Sequence, residues 1–195
     1  APQIQRTAAS YGEAMHNSLQ HYFNAMIADS EQNFPPKKIL LKLFEGEMRQ
    51  RKTFFPEDEY KRKLEQGQQN LTMFYDQYHN DWVVNCRTEL RLQNIEIEGV
   101  PLKGVIDRID IMNDQELRIV DYKTGSHNNI KLAKPSKSKP YGGSYWRQLV
   151  FYKILFESYR PTAQKVTSGE IFYIDPDPSG LMEGKKITIS ADDFL

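Results

Sequence analysis

The spacing of apolar side chains predicts that about the first 80 residues are mostly helical. From about Ala8 to Ala28, apolar residues recur at intervals of three and four, the spacing of one helix face. These residues are Ala14, Met15, Leu19, Tyr22, Phe23 and Met26. Pro35-Pro36 can open a second helix, and its apolar stripe consists of Ile39, Leu40, Leu43, Phe44 and Met48.

A third helix is predicted from Pro56 to about Tyr78. Its first turn is acidic, as the positive end of a helix dipole favours, and holds Glu57, Asp58 and Glu59. The residues expected to face inward are Leu64, Leu71, Phe74 and Tyr75.

The pattern becomes strand-like after this helix. One strand is predicted from Val83 to Ile97, a second from Leu102 to Met112 and a third from Leu117 to Tyr122. The turns between them are short, which indicates an antiparallel meander. The stretch from Thr124 to Ser144 is polar, basic and rich in Gly, Pro and Ser, so it is predicted to be a mobile loop.

The last elements are an amphipathic helix from Tyr145 to Tyr159, which Pro161 ends, and two strands, Val166 to Ile174 and Lys186 to Ser190. The pattern as a whole predicts an α/β fold with a central mixed sheet that begins as the meander and is flanked by helices. We expect one domain over residues 1–195, with a helical segment over 1–80 and a sheet core over 83–190 that carries the helix 145–159.

The charge is zero over the whole chain but uneven along it. Between Tyr122 and Ser168 there are nine basic residues and one acidic residue, a net charge of +8. Such a segment either attracts phosphates or is a solvated lysine loop, and charge alone does not separate the two. The basic residues expected to contact DNA are Lys131, Lys134, Lys137, Lys139 and Arg147.

Cysteine usage and hydropathy exclude several classes of protein. The single Cys86 cannot form an internal disulfide, and it rules out a four-cysteine iron–sulfur or zinc site within this chain. A reducing, intracellular setting fits this composition. No apolar run approaches the roughly 18 residues of a membrane span.

The first candidate for a catalytic or metal-binding residue is Asp107. Side chains alternate along a strand, so Asp107 shares a face with Val105, Ile109 and Ile111. A carboxylate in an apolar row is costly unless a metal ion or a basic side chain binds it.

The next strand repeats this arrangement, because Leu117, Ile119, Asp121 and Lys123 share a face. The acid can hold a divalent metal, and the lysine can orient a water or stabilise negative charge on a phosphate. For an isolated Asp-x-Lys, a surface salt bridge is the alternative. Since Asp107 and Asp121 lie on consecutive strands of the meander, their carboxylates can converge on one Mg²⁺ or Mn²⁺ ion.

Asp107 followed by Asp121-Tyr122-Lys123 resembles the PD-(D/E)xK nuclease motif. The segments Gly104–Asp110, Ile119–Gly125 and Gln148–Tyr152 further resemble the nuclease domain of the RecB/AddB recombination helicase-nucleases. Gly12-Glu-Ala-Met-His16 resembles the Gly-x-x-x-His motif of that family. The resemblance runs from about Gly12 to Tyr173, which is most of the chain.

The resemblance implies a restriction-endonuclease-like core that hydrolyses DNA phosphodiester bonds with Mg²⁺, for which Mn²⁺ can substitute. The implied metal ligands are His16, Asp107, Asp121 and the backbone carbonyl of Tyr122. Lys123 would position the attacking water, and Gln148 and Tyr152, four apart on one helix face, would support the lysine and the DNA strand.

Many relatives hold an iron–sulfur cluster, which the single cysteine excludes here, so the chain resembles the cluster-free branch nearest RecB itself. The resemblance also implies an exonuclease rather than an endonuclease, single-stranded DNA ends as substrate, and a helicase in the same or a partner chain. A cytoplasmic, nucleoid-associated bacterial protein of repair or recombination is expected. Ser190 to Asp193 has the pattern of a helix start, from which we expect the chain to be part of a longer protein.

Other residues are assigned with less specific roles. Glu89 on the first strand is a candidate for a group just outside the metal ligands. Asp110, on the face opposite Asp107, is expected either to pair with a base or to cap a turn, and Arg108 is expected to form a salt bridge. Asp175 and Asp177 alternate with prolines and indicate a turn. Tyr141, Tyr145 and Trp146 either stack on unpaired bases or anchor the helix to the core.

Two rival functions remain at this point. One is a nuclease-like domain that binds DNA or a partner without cutting. The other is a metal-dependent phosphoesterase that acts on nucleotides or small phosphate esters.

Overall fold

The computed structural model describes residues 3–159 and 163–190. The predicted α/β class is confirmed, with a helical N-terminal segment and a mixed, mostly antiparallel sheet of five strands. The chain forms two compact units. The first consists of Ala1–Val84, Lys123–Gly125 and Ile174–Met182, and the second of Asn85–Tyr122, Ser126–Tyr173 and Glu183–Leu195. The single-domain organisation over 1–195 stays a prediction.

Three long helices build the first unit: α1 (Gln3–Ala28), α2 (Lys37–Gln50) and α3 (Glu57–Tyr78). All six apolar residues predicted for the inner face of α1 are fully buried. Pro36 and Pro56 are the N-cap residues of α2 and α3, so each proline precedes its helix directly. Within α3, Leu71 and Phe74 are buried as predicted, whereas Leu64 and Tyr75 are half-buried.

The sheet contains β1 (Cys86–Ile97), β2 (Val100–Ile111), β3 (Glu116–Lys123), β4 (Lys165–Tyr173) and β5 (Gly184–Thr188), in that spatial order. The pairs β1–β2, β2–β3 and β4–β5 are antiparallel, so the predicted meander is confirmed. Two backbone hydrogen bonds show that β3 and β4 run parallel. Lys165 N–H donates to the Gln115 carbonyl and Ile174 N–H to the Lys123 carbonyl, so the residue numbers increase in the same direction on both sides.

Helix α5 (Ser144–Tyr159) packs on this sheet and forms one apolar core with it. Leu149 and Leu155 of α5 are fully buried in this core, together with Ile109 and Ile119 from the sheet. A parallel pair needs a long crossover connection, and α5 is part of the connection between β3 and β4. The predicted end of this helix at Pro161 lies outside the described residues, as does the predicted helix start at 191–193.

The loop predicted from Thr124 to Ser144 is partly ordered structure. A short helix, α4 (Asn129–Leu132), lies within it, and the Asn128 side chain caps this helix by accepting from two backbone N–H groups. Gly143 donates its N–H to the Ala133 carbonyl at 2.7 Å. A Cβ at Gly143 would overlap the Lys131 carbonyl, so the glycine permits this close backbone approach.

Val105, which was predicted to lie in an apolar strand face, is more exposed than expected. Val105 is 37% exposed, whereas Ile109 on the same strand is 2% exposed. The apolar row that contains Asp107 therefore begins after the aspartate. No helix in the described part of the chain combines the length and the apolar character of a membrane span.

Candidate active site

Asp107 and Asp121 lie where the pairing of β2 and β3 in the second unit ends. The β2–β3 pairing joins Arg108 to Val120 and Ile109 to Ile119. The same register, if continued by one residue, would set Asp107 opposite Asp121. Directly opposite side chains of an antiparallel pair lie on one face, with Cβ atoms roughly 4.5–5.5 Å apart.

Each carboxylate is held by a neutral donor. The backbone N–H of Tyr122 donates to Oδ2 of Asp107 at 2.9 Å, and Nε2 of Gln148 donates to Oδ1 of Asp121 at 3.0 Å. Neutral donors orient a carboxylate without cancelling its charge. Asp121 is only 2% exposed, so its carboxyl group lies in a low-dielectric environment, where interactions between charges are strong.

Gln148 and Tyr152 lie on the face of α5 that meets these acids. The Gln148 amide donates to both Asp121 and the Tyr152 hydroxyl, the latter at 2.9 Å. The pKa of Tyr152 is raised to about 12, first by burial and then by the charge of Asp121, with smaller contributions from Asp107 and Glu89, while the Gln148 hydrogen bond lowers it. The hydroxyl therefore keeps its proton at neutral pH and can donate a hydrogen bond.

Glu89 lies on the strand next to Asp107. The β1–β2 pairing joins Thr88 to Arg108 and Leu90 to Ile106, so Glu89 and Asp107 both lie between these two pairs. Glu89 has a φ of 45°, an unusual value for a residue other than glycine. Its charge contributes to the raised pKa of Tyr152, and its role beside the acids stays a prediction.

The opposite face of the same strands carries a buried ion cluster. Asp110 is fully buried between two guanidinium groups, and its carboxylate accepts from Arg108 at 2.7 Å and from Arg118 at 2.7 Å. Arg118 also pairs with Glu170 of β4 at 3.1 Å. The predicted pairing of Asp110 with a base is thus confirmed, and it is twofold.

Tyr122 faces this cluster, because Nη1 of Arg108 donates to its hydroxyl at 2.6 Å. Burial raises the pKa of Tyr122 well above its ordinary value, so the hydroxyl remains neutral. With the side chain fixed on the cluster face, only backbone atoms of Tyr122 are left for the face of Asp107 and Asp121. This is compatible with the predicted role of its carbonyl.

The other two predicted residues belong to the first unit. Lys123 is the last residue of β3 and is half-buried, and His16 is half-buried on α1. Lys123 follows Asp121 by two residues on one strand, so the two share a face. His16 as a metal ligand stays a prediction.

The predicted DNA-binding side chains differ in their surroundings. Lys131, Lys134, Lys137 and Arg147 are exposed, and Lys139 is half-buried with its Nζ donating to the Ile130 carbonyl. The ammonium of Lys131 lies 4.9 Å from the ring centre of Tyr145, a cation–π contact.

Two further members of the charged and aromatic segment turn inward. Lys153 is buried and donates to Glu157 at 2.5 Å and to the Val166 carbonyl, so it contributes no surface charge. Trp146 is 5% exposed and belongs to the core, whereas Tyr141 is 78% exposed. The structure thus separates the two alternatives for these aromatic residues: Trp146 anchors the helix, and Tyr141 faces solvent.

Asp175 is a contact-forming residue that the sequence pattern did not reveal. It accepts hydrogen bonds from Asn70 at 2.6 Å, from the Gly125 N–H at 2.7 Å and from the Tyr11 hydroxyl at 3.3 Å, all within the first unit. Its Asp-Pro-Asp-Pro setting indicates a turn whatever the long-range partners are. A signal was available in Asn70, a polar residue one position from Leu71 on the inner face of α3.

The donor set of the second unit fits a hard divalent cation. Mg²⁺ prefers oxygen ligands and is commonly held by one or two carboxylates while it retains several waters. Asp107 and Asp121 provide two such carboxylates at the end of the β2–β3 pairing. Within residues 3–159 and 163–190, no three His, Cys, Asp or Glu side chains are grouped closely enough to hold a metal ion by themselves.

Comparison with known proteins gives one family-level match. The family model of the PD-(D/E)XK nuclease superfamily matches residues 1–194. No curated protein matches significantly. Among solved structures, one described as "Crystal structure of SSO0001" is 14% identical and covers 90% of this chain and 80% of its own, with a TM-score of 0.37.

Proposed function

We propose that this chain, which belongs to the PD-(D/E)XK nuclease superfamily, is a Mg²⁺-dependent deoxyribonuclease whose acids are Asp107 and Asp121. Membership of a nuclease superfamily supports a hydrolase that binds DNA. Two observations support the site assignment: the β2–β3 register, which continued by one residue would set Asp107 opposite Asp121, and the Gln148 amide that donates to Asp121.

Asp107, Asp121 and the Tyr122 carbonyl are the proposed ligands on the sheet, and Mn²⁺ can replace Mg²⁺ there. When bound, the ion supplies Lewis-acid polarisation of the scissile phosphate and a more acidic attacking water. The resemblance adds His16 as a ligand. Metal affinity measured calorimetrically on His16→Ala tests that addition without any need for DNA cleavage.

The remaining side chains act on the substrate and the water. The Lys123 ammonium positions the attacking water and stabilises the negative charge that grows on the phosphate. Gln148 fixes the orientation of Asp121 and Tyr152 through its two hydrogen bonds. The protonated Tyr152 hydroxyl donates to a phosphate oxygen. Water oxygen bonds to phosphorus as the phosphorus–ester bond breaks, and the water proton leaves for the departing alkoxide.

The exposed cations of α4, α5 and the segment between them are proposed to follow the DNA backbone. Tyr141 is exposed beside them and offers a ring on which an unpaired base can stack. This combination favours single-stranded DNA ends, and hence an exonuclease, as the substrate and mode. The resemblance adds two proposals. The chain acts with a helicase in the same or a partner chain, and it serves repair or recombination in a bacterial cytoplasm near the nucleoid.

The function is tested by incubating the protein with linear single-stranded and double-stranded DNA in Mg²⁺, Mn²⁺ or EDTA. We expect cleavage in either metal and none in EDTA. Asp121→Ala, Asp107→Ala and Lys123→Ala should each slow cleavage by at least about 100-fold, since each removes a group that acts on transition-state charge. Asp114→Ala, at an exposed acid in the β2–β3 turn, is the matched control and should cleave like the wild type.

Each rival predicts a different result. A nuclease-like domain that only binds would retain DNA binding but cleave nothing in either metal. A small-molecule phosphoesterase would turn over a mononucleotide analogue faster than an oligonucleotide. Cleavage that persists in Asp121→Ala and Lys123→Ala would overturn the site assignment while leaving the nuclease function standing.

A further inference from the structure

We propose that Asp175 is a positioning residue for Lys123, because its carboxylate holds the chain segment that directly follows the lysine. The inference rests on the proposed function of Lys123, but the contacts that carry it lie within the first unit. Asp175 itself touches neither substrate nor metal in this proposal.

Two consecutive residues hold the segment Lys123–Gly125. The N–H of Ile174, the residue that follows β4, donates to the Lys123 carbonyl at 2.9 Å. One residue further, Oδ2 of Asp175 accepts from the Gly125 N–H at 2.7 Å. The backbone is therefore fixed at Lys123 itself and again two residues after it.

The carboxylate is held in turn by two helices. Its Oδ1 accepts from Nδ2 of Asn70 on α3 at 2.6 Å and from the Tyr11 hydroxyl on α1 at 3.3 Å. Both partners are buried, with Asn70 4% and Tyr11 2% exposed. Burial and the charge of Asp175 raise the pKa of Tyr11 well above its ordinary value, so the hydroxyl stays a donor. Charge-assisted hydrogen bonds from buried donors leave a carboxylate little freedom.

The segment itself is shaped for this contact. Gly125 has a φ of 119°, a conformation that other residues rarely adopt, and it presents its N–H to Asp175. From the other side, α1 approaches Thr124 so closely that a Cβ at Gly12 would lie 3.2 Å from Oγ1 of Thr124. A larger side chain at position 12 would therefore require Thr124 to shift by a few tenths of an ångström.

The Asp175 contacts hold the backbone beyond the end of β3, where strand pairing no longer holds it. A lysine at the end of a strand is free to fray unless the following residues are held, and small displacements of a catalytic group are costly: about 1 Å can cost about 100-fold in rate. The Asp175 contacts remove this freedom at Gly125.

The test compares Asp175→Asn with Asp177→Asn. In Asp175, one carboxylate oxygen accepts from Asn70 and the other from Gly125. Asparagine has an NH2 donor in place of one of these oxygens, so it can accept only one of the two hydrogen bonds. Asp177 lies in the same turn, but its carboxylate accepts from Ser179 and Leu181 instead. In the metal-free protein, we expect Gly125 amide exchange about 10-fold faster in Asp175→Asn and unchanged in Asp177→Asn.

Cleavage kinetics give the second measurement. In Asp175→Asn, we expect kcat to fall by about 10- to 100-fold with KM within about threefold of the wild type. In a Lys123→Ala background, the same substitution should slow cleavage no further, because the group that it positions is absent. A purely structural effect would slow both backgrounds alike. Tyr11→Phe removes one donor only and serves as the milder variant if Asp175→Asn does not fold.

Unchanged Gly125 exchange in the variants would overturn the proposal, and so would faster exchange with an unchanged kcat. Additive losses with Lys123→Ala would overturn it as well. If the wild type cleaves no DNA, the proposed function fails, and the exchange measurement alone then decides whether Asp175 holds the segment.

Discussion

The environment of Cys86 shows how strongly burial controls one side chain of this protein. Cys86 is 7% exposed, and the pKa of its thiol is raised from the ordinary 9.0 to about 11, mainly by burial, while the charge of Arg108 lowers it and that of Asp110 raises it. Reaction with a disulfide reagent requires the thiolate. A rise of two pKa units makes the thiolate fraction at pH 8 about 100-fold smaller.

We therefore predict that native Cys86 reacts with Ellman's reagent at pH 8 at least about 100-fold more slowly than the same thiol in urea-unfolded protein. The rate in the native protein should rise with pH up to about 11, since the thiolate population grows until the pH passes the pKa. Absorbance of the released thiol measures both rates. Equal rates in the native and unfolded protein would mean that the thiol is accessible and ionised.

At the same scale, alternation and helix spacing predicted which residues of the candidate site share a face. Asp107 and Asp121 could be placed on one face from their strand positions, and Gln148 and Tyr152 on one helix face from their separation of four. Asp175 could not be assigned in this way. Its partners are Tyr11, Asn70 and Gly125, which are far away in sequence, and local composition carries no signal of such contacts.

Between α2 and α3, the packing depends on a glycine. A Cβ at Gly67 would overlap the ring of Phe44, whereas a Cβ at Gly46 of α2 would meet nothing within 4 Å. We predict that Gly67→Ala destabilises the protein by about 1–3 kcal/mol, because the ring must move out of a filled core. Gly46→Ala should instead stabilise it by up to about 1 kcal/mol through helix propensity.

Urea unfolding of the two variants measures these free energies, and each serves as the control for the other. The same helix-forming gain applies to both positions, so their difference isolates the overlap with Phe44. Equal stabilities would show that the α2–α3 contact tolerates the extra methyl group.

The elements themselves were predictable wherever apolar periodicity was strong. The strands β1 to β5 begin and end within three residues of the predicted limits, and α5 begins one residue before its predicted start. The segment before α5 was the exception, since a polar composition gives no periodicity. Its short helix depends on the Asn128 cap and on the contact of Gly143 with the Lys131 backbone, which only the folded structure reveals.

Over the whole molecule, a net charge of zero conceals a basic segment that we assign to DNA. We predict that Lys134→Ala/Lys137→Ala weakens binding of a single-stranded oligonucleotide. It should also reduce the slope of log affinity against log salt by about 0.7 for each phosphate that the variant no longer neutralises. Lys42→Ala, at an exposed lysine of α2, is the matched control.

Fluorescence anisotropy in EDTA at several salt concentrations measures binding without cleavage. An unchanged slope in the double variant would place the DNA backbone elsewhere. An equal loss in Lys42→Ala would indicate a diffuse response to net charge.

The ion cluster behind Asp107 and Asp121 has a consequence for how the chain finds its register. Along β3, Arg118 and Tyr122 face Asp110 and Arg108, and the alternate residues Leu117 and Ile119 face the apolar core. A slip of one residue would turn the Arg118 guanidinium towards that core and leave Asp110 with one ion-pair partner fewer. Misaligned pairings of β2 and β3 are therefore higher in free energy than the native pairing, and the ion cluster disfavours misfolding through a shifted register.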